Sequence, residues 1–130
     1  MDARSEVDRN CPWCDGFDES SFLSRLHEDW EWIDDEYWKL DRAMRQLAIE
    51  YDGAESLPRE LTWRIMRIFS YGMLVIGCHY DKDDHFKIKN LTTDQLHECR
   101  ERFQLTFEGF FKGRMTDNNL FEYSDPSPSS

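Results

Sequence analysis

The chain reads as a mainly all-α protein, a helical bundle of about four helices with one central hydrophobic helix and one short extended segment. Three observations predict this. Apolar residues recur at intervals of three and four across several long windows. Capping residues stand where those windows begin, and glycines stand where two of them end. No set of strands with period two exists to build a sheet. At 130 residues the chain is one domain by length, and 39% hydrophobic with 15% aromatic residues supplies a core despite the 33% that are charged.

Residues 1 to 17 read as irregular, closing on the turn-like Cys14-Asp15-Gly16. Asp18, Ser20 and Ser21 offer capping oxygens. Phe22, Leu23, Leu26 and Trp30 then follow at helical spacing, which predicts a first helix from about Glu19 to Asp29. Asp34, Asp35 and Glu36 suit the positive end of a helix dipole. Tyr37, Leu40, Met44, Leu47 and Tyr51 continue the stripe to Asp52-Gly53 and define a second helix.

Ser56 and Pro58 open a third helix, since proline is tolerated in a first turn where its missing N–H would have had no partner. From Leu61 to Ile76 its apolar residues spread round nearly the whole circumference, the pattern of a helix buried along a bundle axis. Gly72 and Gly77 fit close approach of a neighbouring helix, or a bend. Phe86-Lys87-Ile88-Lys89 alternates and predicts a short extended segment without a partner strand. Thr92 with Gln95 is a capping-box pair. Leu96, Cys99, Phe103, Phe107, Phe110 and Phe111 give the fourth helix its apolar face, Gly113 stops it, and Glu98 and Arg102 form an i,i+4 pair on its other side. The helical domain spans 18 to 123, and the Pro- and Ser-rich residues 124 to 130 read as a disordered tail.

Charge narrows the function classes. Sixteen basic against twenty-seven acidic residues leave a net charge of -11, which repels nucleic acid and anionic lipid and draws in cationic partners. The first ten residues resemble neither a secretory signal nor a transit peptide. The longest apolar run, Met73 to Cys78, is too short to span a bilayer, so a cytoplasmic protein is expected.

Two acidic clusters are candidate contact sites. Residues 28 to 36 hold six carboxylates and two tryptophans within nine positions. Capping and solubility account for such a face in the ordinary case, but the carboxylates repel one another unless an oppositely charged partner compensates, and tryptophan beside charge is how binding hot spots are built. Asp29, Trp30, Glu31, Trp32, Asp34 and Asp35 are therefore assigned to partner binding, with Asp81, Asp83 and Asp84 as a second patch. That second cluster lacks the glycine and the distal glutamate of a calcium-binding loop.

Cys11-Pro12-Trp13-Cys14 is half of a tetrahedral zinc set. Cys78, His79, His85, His97 and Cys99 are the remaining donors, two of them on core faces. Buried or incidental thiols are the simpler reading, a small zinc-binding regulatory module is the alternative, and no cofactor is expected. No nucleotide-binding, hydrolase or metalloprotease signature is present, so no catalytic residue is assigned and no enzyme is expected.

Pro58-Arg59-Glu60-Leu61-Thr62-Trp63, Arg67-Ile68-Phe69-Ser70-Tyr71, Gly77-Cys78-His79-Tyr80 and Phe86-Lys87-Ile88-Lys89-Asn90-Leu91 resemble a family of bacterial immunity proteins. Arg100-Glu101-Arg102-Phe103-Gln104-Leu105 and Phe107-Glu108-Gly109-Phe110-Phe111 extend the likeness over about residues 15 to 115. The resemblance implies a non-enzymatic protein encoded beside a polymorphic or contact-dependent growth-inhibition toxin, which it masks. It transfers no contact residue position by position. The acidic composition fits that implication, since a toxin that cleaves nucleic acid presents a basic cleft.

Overall fold

The computed structural model describes residues 2–127 and contains five helices in the order α1 (Ala3–Arg9), α2 (Phe22–Asp29), α3 (Asp34–Glu50), α4 (Arg59–Tyr80) and α5 (Thr93–Lys112), followed by a 3-10 turn, Asn118–Leu120. No strand occurs among the described residues. The bundle is as expected, with one helix more than the hydrophobic pattern shows.

The extra helix is α1, inside the segment expected to be irregular. Its only large apolar residue is Val7, so it carries no periodic stripe; polar contacts hold it instead. Asp2 caps the Ser5 N–H at 2.7 Å. Arg9, nearly enclosed, bridges Glu6 within the helix (2.9 Å), Asp18 beyond it (3.0 Å) and Glu36 at the start of α3 (2.9 Å). Helix α2 begins at Phe22, three residues later than predicted, after Ser21. Helix α3 buries Tyr37, Leu40, Met44 and Leu47 completely, as its spacing required. Helix α5 carries the full capping box: Gln95 N–H donates to Thr92 Oγ1 and Thr92 N–H donates to the Gln95 side chain. Gly113 closes it in the left-handed conformation, φ +79°.

The predicted axis is displaced. Helix α4 buries only one face, Leu61, Ile65, Ile68, Gly72, Val75 and Ile76, and turns Trp63, Met66, Leu74 and Tyr80 to solvent. Its apolar circumference therefore marks two faces, one for the core and one facing outward. The centre belongs to α3 and α5, where Phe22, Trp32, Tyr37 and Phe103 form a cluster of rings with neighbouring centroids 4.7–6.4 Å apart. Gly72 serves the core as expected: a Cβ there would lie 2.6 Å from Phe103 Cζ. At Gly77 an added Cβ would meet nothing.

The 86–89 segment forms no ladder, yet its alternation is real. Ile88 is buried and Phe86 half-buried while Lys87 and Lys89 are exposed. Arg102, expected at the surface beside Glu98, is fully enclosed and pairs with Asp41 of α3. The C-terminal segment is also tied down as far as it is described. Phe121 and Asp125 are buried, and Arg42 grips the Asp125 carboxylate through two hydrogen bonds of 2.7 Å. Residues 124–127 thus depart from the expected disordered tail, whose remainder, 128–130, lies outside the described residues. No helix among the described residues is long and apolar enough to cross a membrane.

Candidate functional site

The two acidic clusters, about 50 residues apart in the chain, are joined through their neighbours. Helix α2 ends at Trp30, whose backbone is left-handed (φ 59°), the one non-glycine residue with positive φ among those described. A bulky side chain in that region stores roughly 1–3 kcal/mol of strain, which the surroundings must hold in place. They do so from the 81–91 loop. The Lys89 N–H donates to the Trp30 carbonyl at 2.8 Å, and the Trp30 ring packs on Phe86 with centroids 5.0 Å apart. Asn90 then brackets Trp32, accepting from its N–H (3.0 Å) and donating to its carbonyl (2.7 Å).

Around this junction the carboxylates differ in how far they are satisfied. Asp29 pairs with Arg25 at 2.5 Å, and Asp34 accepts from Tyr123 Oη at 2.6 Å. Asp84 accepts from the Phe86 N–H, a bond that holds its carboxyl below the usual range. Among the described residues Glu31, Asp34, Asp35, Asp81, Asp83 and Asp84 enter no ion pair. Asp34, Asp35, Asp81 and Asp83 are exposed, Asp29, Glu31 and Asp84 partly so. The arrangement combines exposed carboxylates, and in the 81–89 loop the exposed Lys82, Lys87 and Lys89, with a partly exposed, rigidly held indole.

Trp32 does not belong to that surface. It is 1% exposed, packs edge-on to Phe22 and donates its Nε1 proton to Tyr123 Oη at 2.8 Å. Its expected place on the contact face is corrected to a place in the core. The sequence could not separate it from Trp30 because α2 stops at Asp29, before both, and a left-handed tryptophan has no sequence signature.

The cysteine motif forms a turn, Cys14 N–H donating to the Cys11 carbonyl at 3.0 Å. Cys11 is fully buried, and burial pushes its thiol up to about 12. Among the described residues no group of three His, Cys, Asp or Glu could hold a metal ion. His79 accepts from the Ile88 N–H and His97 contacts Arg100, while Cys99 is buried in the core. The zinc-module alternative loses its second half. The motif is a packed turn that positions Trp13 over Trp63 of α4, centroids 5.7 Å apart.

Sequence reasoning missed the outward face of α4. Its signal is the excess of apolar positions round that helix, more than burial of one face requires. Between α2 and the neighbouring flank of α4 lies a groove of about 460 Å³ lined by Trp13, Leu23, His27, Arg67 and Tyr71. The Tyr71 hydroxyl reaches His27 Nδ1 at 2.8 Å there, and Arg67 lies over the Tyr71 ring. Ser24 and Glu28 also line it, and His27 Nε2 lies 3.5 Å from Glu28 Oε1.

Residues 9–122 match the family model described as Immunity protein 41. No curated protein and no solved structure matches the chain.

Proposed function

The chain belongs to the immunity protein 41 family, and from that premise we propose that it is an antitoxin that binds its cognate toxin domain one to one in the cytoplasm of the producing cell and masks it. The toxin surface it covers is cationic, as the substrate cleft of a nuclease is. The contact edge comprises Asp29, Trp30, Glu31, Asp34, Asp35, Asp81, Asp83 and Asp84.

The observation that carries this reading is the junction at Trp30. The loop that carries Asp81, Asp83 and Asp84 is joined to the acidic end of α2 at an aromatic residue held in a strained backbone conformation by the Lys89 hydrogen bond and the Phe86 ring. Concentrated like charge costs folding stability, and an oppositely charged partner recovers that cost on binding. A rigid, half-exposed indole adds apolar contact area with little entropy to lose. Electrostatic steering makes association fast, as neutralising a toxin in the cell that makes it requires.

The test is co-expression with the toxin domain encoded beside this chain, followed by binding kinetics at several salt concentrations. Asp35→Lys with Asp83→Lys should slow association roughly tenfold or more and flatten its salt dependence. Both residues are exposed and unpaired, so the fold should survive. Unchanged kinetics and unchanged cell protection in the double variant would remove the acidic edge from the interface.

A further inference from the structure

The outward face of α4 has no account within the chain. From Ile68 to Tyr80 the helix contains no Asp, Glu, Lys or Arg, although a solvated helix face is ordinarily polar. Leu74 is 62% exposed, Met66 and Tyr80 each 42%. Gly77 sits among them on the same side. Gly72 is explained by the Phe103 ring, but a Cβ at Gly77 would touch nothing, so its cost in helix propensity brings no packing inside the molecule. An absent side chain that no internal neighbour requires leaves backbone open to an external one.

Resting on the antitoxin reading above, we propose that the Met66, Leu74, Gly77 and Tyr80 face of α4 is the apolar centre of the toxin-binding surface. It receives a hydrophobic ridge of the toxin domain that is flanked by basic residues. Charge selects this occupant. Helix α4 runs directly into Asp81 and Asp83, both exposed and without ion-pair partners, and its C-terminal carbonyls add negative potential at the same end. Arg67 over Tyr71, Arg100 over Tyr80 and Lys82 keep their charge, so the rim carries both signs within a chain whose net charge of -11 favours a cationic partner overall. A second copy of the chain would bring another charge of -11 to this end, which opposes self-association. Through Asp81 to Asp84 and the Phe86 contact with Trp30, the face is continuous with the acidic edge. It would form an apolar centre with a charged rim.

The test uses the full chain, the toxin domain encoded beside it, and the variants Leu74→Lys, Gly77→Gln and Asp83→Lys, with binding kinetics, thermal unfolding and sedimentation for each. Leu74→Lys should weaken the complex by roughly 30-fold or more through faster dissociation, with the salt dependence of association kept. Gly77→Gln should weaken it at least about tenfold while raising the melting temperature of the free chain, a split that a merely structural glycine could not produce. Wild-type affinity in both α4 variants, with Asp83→Lys impaired, overturns the α4 face and leaves the acidic edge standing. A wild-type dimer that Leu74→Lys dissociates, with toxin binding intact, overturns it in favour of self-association. Absence of any complex with wild type overturns both readings.

Discussion

Arg102 of α5 and Asp41 of α3, 61 residues apart in sequence, are both fully enclosed and joined by paired hydrogen bonds, Nε to Oδ2 at 2.9 Å and Nη2 to Oδ1 at 3.0 Å. Asp41 also accepts from Tyr37 Oη (2.7 Å), Thr106 Oγ1 (3.2 Å) and Arg45 Nε (3.1 Å). The guanidinium lies between the rings of Trp38 and Phe121 and donates to Asn118 Oδ1 at 2.7 Å. A buried pair this well satisfied repays its desolvation, and it fastens the two central helices to the C-terminal segment.

Removing one partner strands the other charge. Asp41→Ala or Arg102→Met should each cost about 3–5 kcal/mol in urea denaturation. The double variant Asp41→Leu with Arg102→Met should recover much of that loss, because no charge is then left buried. Single-variant losses below about 1 kcal/mol would mean that water reaches the site.

The end of the chain should respond to acid. Arg42 holds the Asp125 carboxyl below its ordinary value, so this contribution to stability is present above roughly pH 4 and is lost as pH falls through the lower folded value. Amide protection over residues 118–125 should therefore disappear at acid pH before the core opens. Asp125→Asn should remove that step and leave those amides poorly protected at neutral pH. Identical exchange in both proteins across the range would show that the Arg42 contact does not hold the segment.

Much of the bundle was legible because α3 and α5 obey simple periodicity, and Thr92, Gln95 and Gly113 behave as local chemistry requires. Helix α1 was not, because an arginine bridging three carboxylates from separate segments leaves no pattern along the sequence. Arg102 failed for a related reason: i,i+4 spacing offers Glu98 as a partner, while the better one arrives from another helix. At the candidate site the carboxylates could be read directly from composition. Their junction through Trp30, Phe86 and Lys89, and the burial of Trp32, depend on tertiary contacts that no spacing encodes.

The two neighbouring tryptophans should separate cleanly on substitution. Trp32→Ala empties a core position and breaks the Tyr123 bond, at a cost of about 3–5 kcal/mol. Trp30→Ala empties no core position and loses mainly the Phe86 contact, so it should cost clearly less, about 1–2 kcal/mol, while toxin affinity falls by roughly 30-fold. Chemical denaturation beside binding measurements decides the matter. Equal destabilisation by both substitutions would place Trp30 in the core as well.

The thiols offer a check on the cysteine turn. Burial raises Cys11 and Cys99 to about 12, so at pH 8 almost none of either is thiolate. Alkylation followed by mass spectrometry should leave both unmodified in the native protein and label them fully in denaturant. Fast native labelling of Cys11 would show that the Pro12-Trp13 turn opens.

Gly72 and Gly77 lie five residues apart in one helix and should answer oppositely to the same change. Alanine gains about 1 kcal/mol of helix propensity at either position. At Gly72 that gain is opposed by the Phe103 ring, which is fully buried, packs on Phe69 and Phe107, and stands 2.6 Å from the new methyl group. Overpacking of this kind costs typically about 1–3 kcal/mol, so Gly72→Ala should be destabilising on balance or neutral at best. At Gly77 nothing opposes the gain, and Gly77→Ala should raise stability by close to the full amount. Urea denaturation of the two single variants reads the contrast directly. If both stabilise alike, Phe103 has room to move away and α4 is held to α5 less tightly than this ring contact implies. If both destabilise, something within the chain presses on Gly77, and its side of α4 is not free to meet a partner.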